Sequence, residues 1–173
     1  MPQPDDSHIS AQAGKGTADP ATAELDAGLG NVLFDVWLVS RAATALIDNA
    51  VRASGLDADE FAVYSVLAST QGMTPSELAH WMSAPATTVS SYVKRFERRG
   101  HVRKVPNRGD GRSYRVQLSA GGRRVHRAAG KLFQPTLREV TRQLGTGAAD
   151  AHRQLRALHQ VLDALTHNQP PHQ

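Results

Sequence analysis

Apolar residues recur every three to four positions from Leu29 to Val51, with Val32, Val36, Val39, Ala43, Leu46, Ile47 and Ala50 on one stripe. Leu33, Phe34, Trp37 and Leu38 widen that stripe beyond one face. A helix apolar on several sides is either deep in a core or covered by another subunit. Gly55 supplies its stop. The pattern then shortens. Phe61, Tyr64, Val66 and Leu67 predict a second helix running to about Thr70. Leu78, Ala79 and Met82 form the inner face of a short third one, and Val89, Val93 and Phe96 that of a fourth ending at Gly100. Two segments change period: Val102 to Val105 and Ser113 to Leu118, where Tyr114, Val116 and Leu118 alternate, predict a β-hairpin. Helical spacing returns with Leu132, Phe133, Leu137, Val140 and Leu144, is interrupted at Gly145-Thr-Gly147, and resumes with Leu155, Leu158, Leu162 and Leu165.

Local start signals sharpen these limits. Asp57 with Glu60 and Thr74-Pro75-Ser76-Glu77 both read as capping boxes, and Pro75 suits a first helical position. Ser83-Ala84 makes a turn, Ala84 serves as a poor N-cap and Pro85 opens the fourth helix. Ser119 caps the long helix, which Pro135 should kink. Residues 1–22 hold Pro, Gly, Asp, Ser and Ala with almost no large apolar side chain, and read as a disordered tail. The expected fold class is mainly α with a small β-hairpin wing. A winged helix-turn-helix over 56–118 is flanked by a first dimerisation helix over 29–55 and by C-terminal dimerisation helices over 119–167.

Charge changes this picture from a fold to a partner. The net charge of +4 conceals a division. Residues 1–73 hold 3 Lys/Arg against 10 Asp/Glu, whereas residues 74–127 hold 12 against 3, a net of +9. A basic block of that density is either the footprint of a polyanion-binding face or a solvated basic surface without a partner, and charge alone does not decide between them. Inside it, the outward side of the fourth helix carries Thr87, Thr88, Ser90, Ser91, Lys94 and Arg95. Serine and threonine are poor helix formers, so four hydroxyls in five positions need a reason. A helix slim at its N-terminal end, with donors for base edges and cations for phosphates, meets the demands of a major groove. The hairpin tip, with Arg108 and Arg112, can reach an adjacent minor groove.

At this point the chain resembles the MarR family of bacterial winged-helix regulators. The matching pieces are Ser76-Glu-Leu-Ala79, Thr87-Thr-Val89, Phe96-Glu-Arg-Arg-Gly100, Asp110-Gly-Arg112 and Leu118-Ser-Ala-Gly-Gly122. They fall in order within the resembling stretch, which runs from Leu56-Asp-Ala-Asp-Glu-Phe61 to Arg127 and covers about 70 of the 173 residues. The resemblance implies a homodimer held by the first and last two helices, docking two winged domains on successive major grooves of a pseudo-palindrome. It also implies that Arg112 contacts DNA while Asp110 holds the wing. Two positions depart from the family pattern: Pro85, where a polar or acidic residue is common, and Ser91, where a basic one is.

The remaining chemistry is sparse. Without cysteine there is no disulfide, thiolate zinc site or thiol redox switch. Ser91-Tyr-Val-Lys94 fits the S-x-x-K pattern of acyl-enzymes, but the companion motifs are missing and no enzyme is expected. His126, His152 and His159 lack the further ligands that a metal needs, so neither metal nor cofactor is expected. Phe34 and Trp37, with Tyr64, are candidates for a ligand pocket, dimer core being the alternative; Trp81 has no role in this scheme. No apolar run approaches the roughly 18 residues of a membrane span, and the acidic, polar N-terminus lacks signal-peptide order, which places the protein in the cytoplasm. The expected function is that of a homodimeric regulator, a repressor, binding double-stranded DNA and released by a small-molecule effector. The alternative is a winged-helix module that binds protein and not DNA.

Overall fold

The computed structural model describes residues 30–107 and 113–167. The expected tail over 1–22 lies outside them. Two units divide at Ser40, within helix α1, Val32–Val51. In the first, the Asn31 side chain accepts from the amides of Leu33 and Phe34 at the helix start, and Phe34 stacks on Trp37 with ring centroids 5.7 Å apart.

The second unit begins with the rest of α1 and a 3-10 turn, Arg52–Ser54. Helices α2 (Ala58–Ser69), α3 (Pro75–Trp81) and α4 (Ala86–Arg98) follow. Strands β1 (Val102–Pro106) and β2 (Tyr114–Leu118) form the antiparallel hairpin, with Val102 opposite Leu118 and Pro106 opposite Tyr114. Helix α5 (Ala120–Leu144) continues through Pro135 to the turn Gly145–Gly147, and α6 (Ala148–His167) completes the described chain. The fold class is the expected one: mainly helical with a two-stranded wing.

The core lies where α2, α3, α4, the hairpin and the start of α5 converge. Tyr64, Leu67, Leu78, Val89, Phe96, Val116 and Leu118 are buried there. Tyr64 sits edge-on to Phe96, with centroids 4.8 Å apart. The wing is tied to the helices by one extra pair: Met73 and Val116 exchange both backbone hydrogen bonds, at 3.1 and 2.7 Å. A single residue before α3 therefore acts as a third strand.

Caps set the helix starts, with two corrections. Thr74 and Glu77 form the expected capping box, and Ser119 caps α5 by accepting from the Gly122 amide. Asp57 does cap α2, accepting from the Glu60 amide at 2.7 Å. The Glu60 side chain, however, does not return to Asp57 to close a box. It is buried and turned to α4, because two guanidinium groups compete for it. In α4 the N-cap is Pro85 itself, with ψ 147° and no side-chain cap, and not Ala84. Its carbonyl accepts from the Thr88 and Val89 amides, which a proline can do because only its donor is missing.

Candidate nucleic-acid interface

Helices α3 and α4 are joined by a tight turn. Ser83 takes the left-handed conformation at φ 47°, and the Ala84 amide closes onto the Ala79 carbonyl at 3.0 Å. The turn aims α4 so that Val89, Val93 and Phe96 enter the core. Thr87, Thr88, Ser90, Ser91 and Lys94 are consequently all exposed on its other side. Ser91 donates its hydroxyl to the Thr87 carbonyl at 3.0 Å, which leaves the oxygen as an outward acceptor. Thr88, Ser91, Tyr92, Arg95 and Arg98 border an open groove of about 410 Å³ along the helix.

The cations of the basic block divide into two sets. Arg115 donates to the Gly72 carbonyl and lies 3.4 Å from Glu77. Lys104 pairs with Glu97 at 2.9 Å, over the Tyr114 ring, and this partner raises its pKa above the usual lysine value. Arg95 and Arg99 both face Glu60. Lys94 and Arg98 on α4, and Arg103, Arg123, Arg124 and Arg127 beyond it, have no carboxylate partner among the described residues and remain exposed. The structure therefore brings the hydroxyls and Lys94 to one exposed face, while Arg95 is half-buried at its edge.

Arg108, Asp110 and Arg112 lie outside the described residues. The base of their loop is fastened by Asn107, whose amide group donates to the Ser113 hydroxyl at 2.8 Å. Of the ligand-pocket candidates, Tyr64 is fully buried in the winged-domain core. Its hydroxyl bonds His101 Nδ1 at 2.9 Å, and burial, then the charge of Glu60, pushes its pKa up to about 12. Phe34 and Trp37 belong to the first unit, where Trp37 is 55% exposed. Trp81, which had no assigned role, lines a cleft of about 440 Å³ with Met73, His80, Arg115, His159 and Asp163.

The buried acid on α2 was missed by motif reading. The signal was present: Glu60 occupies the same helical stripe as Val63, Tyr64 and Leu67, a core position where a lone carboxylate requires a partner. Tyr92, Arg95 and Arg99, spaced three and four apart on α4, are the matching stripe.

Comparison with known proteins agrees with this geometry. Residues 54–113 match the MarR family model. The transcriptional activatory protein BadR of Rhodopseudomonas palustris is 34% identical over 92 residues, 51% of this chain and 51% of BadR. The match thus spans about half the length of that curated relative. The M. tuberculosis transcriptional regulator MosR, solved in complex with DNA, superposes with a TM-score of 0.67 at 27% identity. That superposition covers 78% of this chain and 98% of MosR. A cysteine-to-serine mutant of E. coli MarR, solved with operator DNA, shares the fold at a TM-score of 0.64 and 23% identity, over 73% of this chain and 90% of that one. Over residues 54–113 the chain is similar to the MarR family of winged-helix transcriptional regulators, and solved structures of such regulators share its fold.

Proposed function

We propose that the protein binds double-stranded DNA as a homodimer and reads a pseudo-palindromic operator through α4. In this reading it acts as a repressor and is released by a small-molecule effector. The observation that carries the reading is the exposed face of Thr87, Thr88, Ser90, Ser91 and Lys94 on a helix whose opposite side is locked in the core. Hydroxyls donate to and accept from base edges, and Lys94 and Arg98 supply phosphate contacts. Arg108, Asp110 and Arg112 are assigned to the wing contact by their motif. MosR, similar in fold and solved in complex with DNA, supports DNA binding. BadR, similar over about half its length, is described as activatory, so the repressor assignment is tested by whether the operator overlaps the promoter.

Effector release requires that a ligand bind one spacing of the two α4 helices better than the other. Two places suit a small ligand: the surface of Phe34 and Trp37, and the cleft beside Trp81.

Fluorescence anisotropy with a random-sequence duplex, at about 50 and 200 mM salt, tests DNA binding directly. Each phosphate contact adds about 0.9 to the slope of log affinity against log salt. Lys94→Ala should therefore lower the slope by about one and weaken all sequences alike. Absence of binding at the lower salt would favour the protein-binding module instead. Selection of bound sequences from genomic fragments then reads out palindromy and half-site spacing.

A further inference from the structure

We propose that Glu60 is a positioning residue for DNA recognition: its buried carboxylate holds Arg95 and Arg99 against α2, outside the set of phosphate contacts, and so fixes the roll of α4 and limits its charge. The inference rests on the DNA-binding reading above and adds to it a residue that never touches DNA.

The geometry is specific. Glu60 is 2% exposed. Arg99 Nη1 donates to both of its oxygens, at 3.0 and 2.9 Å. Arg95 Nε lies 2.9 Å from Oε1, an ionic contact without the alignment of a hydrogen bond. The Arg95 guanidinium is also held over the Tyr92 ring, 4.7 Å from its centroid. The neighbouring acid holds the same stripe, since the Tyr92 hydroxyl donates to Asp59 Oδ2 at 3.1 Å. Two adjacent carboxylates in the first turn of α2 thus grip three residues of α4.

At 100° per residue, the Tyr92–Arg95–Arg99 stripe lies about a quarter turn from the core face and between it and the hydroxyl face. A tether there resists rolling of α4 about its own axis. Rolling is the motion that would move Thr87, Ser90 and Ser91 off the base edges while leaving the phosphate contacts within reach. Charge points the same way. Two guanidinium groups against one carboxylate leave a net +1 where an amide would leave +2. The groove bordered by Thr88, Ser91 and Arg98 gives a freed Arg95 room to reach a phosphate. Phosphate contacts strengthen binding to every sequence equally, so an added one raises random-duplex affinity, while loss of discrimination follows from the freed roll of the helix.

The experiment measures salt slopes on a random-sequence duplex, and affinity on a selected operator, for the full chain and its variants. Arg95→Gln alone should leave the random-duplex slope unchanged, because Arg95 is held away from phosphate. Glu60→Gln should steepen it by about 0.9, equivalent to roughly eightfold tighter random-duplex binding near 0.1 M salt. The ratio of operator to random affinity should fall as well, because a helix free to roll loses base contacts that only the operator rewards. Glu60→Gln/Arg95→Gln should return the slope to wild type, and Lys94→Gln should flatten it by about 0.9. A merely structural role for Glu60 would lower thermal stability and leave the slope of the folded protein alone; that result overturns the proposal. So does a flattened slope in Arg95→Gln, which would make Arg95 a phosphate contact. Should Glu60→Gln fail to fold, Arg95→Gln and a charge-retaining Glu60→Asp decide the matter. Glu60→Asp should keep the wild-type slope while losing operator preference, because a shorter acid still neutralises but no longer holds the roll. No binding by the wild type would remove the DNA reading itself, an outcome separable from all of these.

Discussion

At the scale of single residues, the start of α5 is decided by the absence of a side chain. Ser119 accepts from the Gly122 amide, donates its hydroxyl to the Gly100 carbonyl at 2.7 Å, and its own amide bonds the His101 carbonyl at 2.9 Å. This brings Gly122 so close to the α4–β1 connection that a Cβ would collide with the His101 carbonyl, which is backbone and cannot swing aside. In a helix, glycine to alanine ordinarily gains about 0.5–1 kcal/mol. At Gly122 overpacking wins, and Gly122→Ala should cost about 1–3 kcal/mol. Gly130 on the same helix meets nothing within 4 Å, so Gly130→Ala should show the ordinary gain. Denaturant midpoints of the two variants should therefore move in opposite directions. A common direction would mean that contact geometry does not govern this helix start.

At the scale of elements, α2 is pinned to α5 by a polar contact inside an aromatic cluster. His126 Nε2 lies 3.1 Å from the Ser65 hydroxyl, and its ring packs on Phe61, which in turn meets Phe133 edge-on. Burial first, and the Arg127 charge second, hold His126 below the histidine value of 6.5. His101, at the foot of the wing, is lowered by burial and then by Arg99. A histidine whose folded pKa is depressed is kept neutral by folding, so the unfolded chain takes up protons first. Stability from both residues is fully present above about pH 6.5 and is lost as pH falls from there towards the folded values. The melting temperature should drop between pH 7.5 and 5.5, a range in which ordinary carboxylates stay ionised. His126→Gln should shallow that drop; an unchanged pH profile would assign it to His101 alone.

Elements also show what was legible. Thr74, Glu77 and Ser119 were readable because a cap and its amide lie three residues apart. The α4 face was readable because Val89, Val93 and Phe96 declare its opposite side. Glu60 was misread because its partner Arg99 is 39 residues away, and the local motif S/T/D-x-x-E offered a nearer use for it. Met73 as a third strand was invisible for the same reason: a single backbone pair leaves no periodicity. Pro85 was misplaced by one position, since an N-cap without a side-chain cap carries no compositional signal.

At the scale of the whole molecule, the winged domain and the C-terminal helices stand in contrast. The former hides its large apolar residues apart from Trp81, which is 43% exposed. The latter expose Leu132, Leu137, Val140 and Leu144 on α5 and Leu155, Val161 and Leu165 on α6, each between 39 and 60% accessible. Repeating leucines left in water on two long helices are the surplus that the proposed second copy would cover, at about 25 cal/mol per Å². Stable dimers of this kind bury about 1,200–2,000 Å² or more in total. Charge placed in that face should separate assembly from folding. Leu137→Asp with Leu144→Asp should yield a monomer by sedimentation at micromolar concentration, while the core of Tyr64, Leu78 and Phe96 keeps the winged domain folded. Its affinity for a two-half-site operator should fall by about 10²–10⁴, the loss expected when the second half-site is no longer bound intramolecularly. Binding to random duplex should keep its per-protomer salt dependence, because Lys94 and the α4 hydroxyls are untouched. A double variant that remains dimeric would place the interface elsewhere, with α1 and its exposed Trp37 next in line.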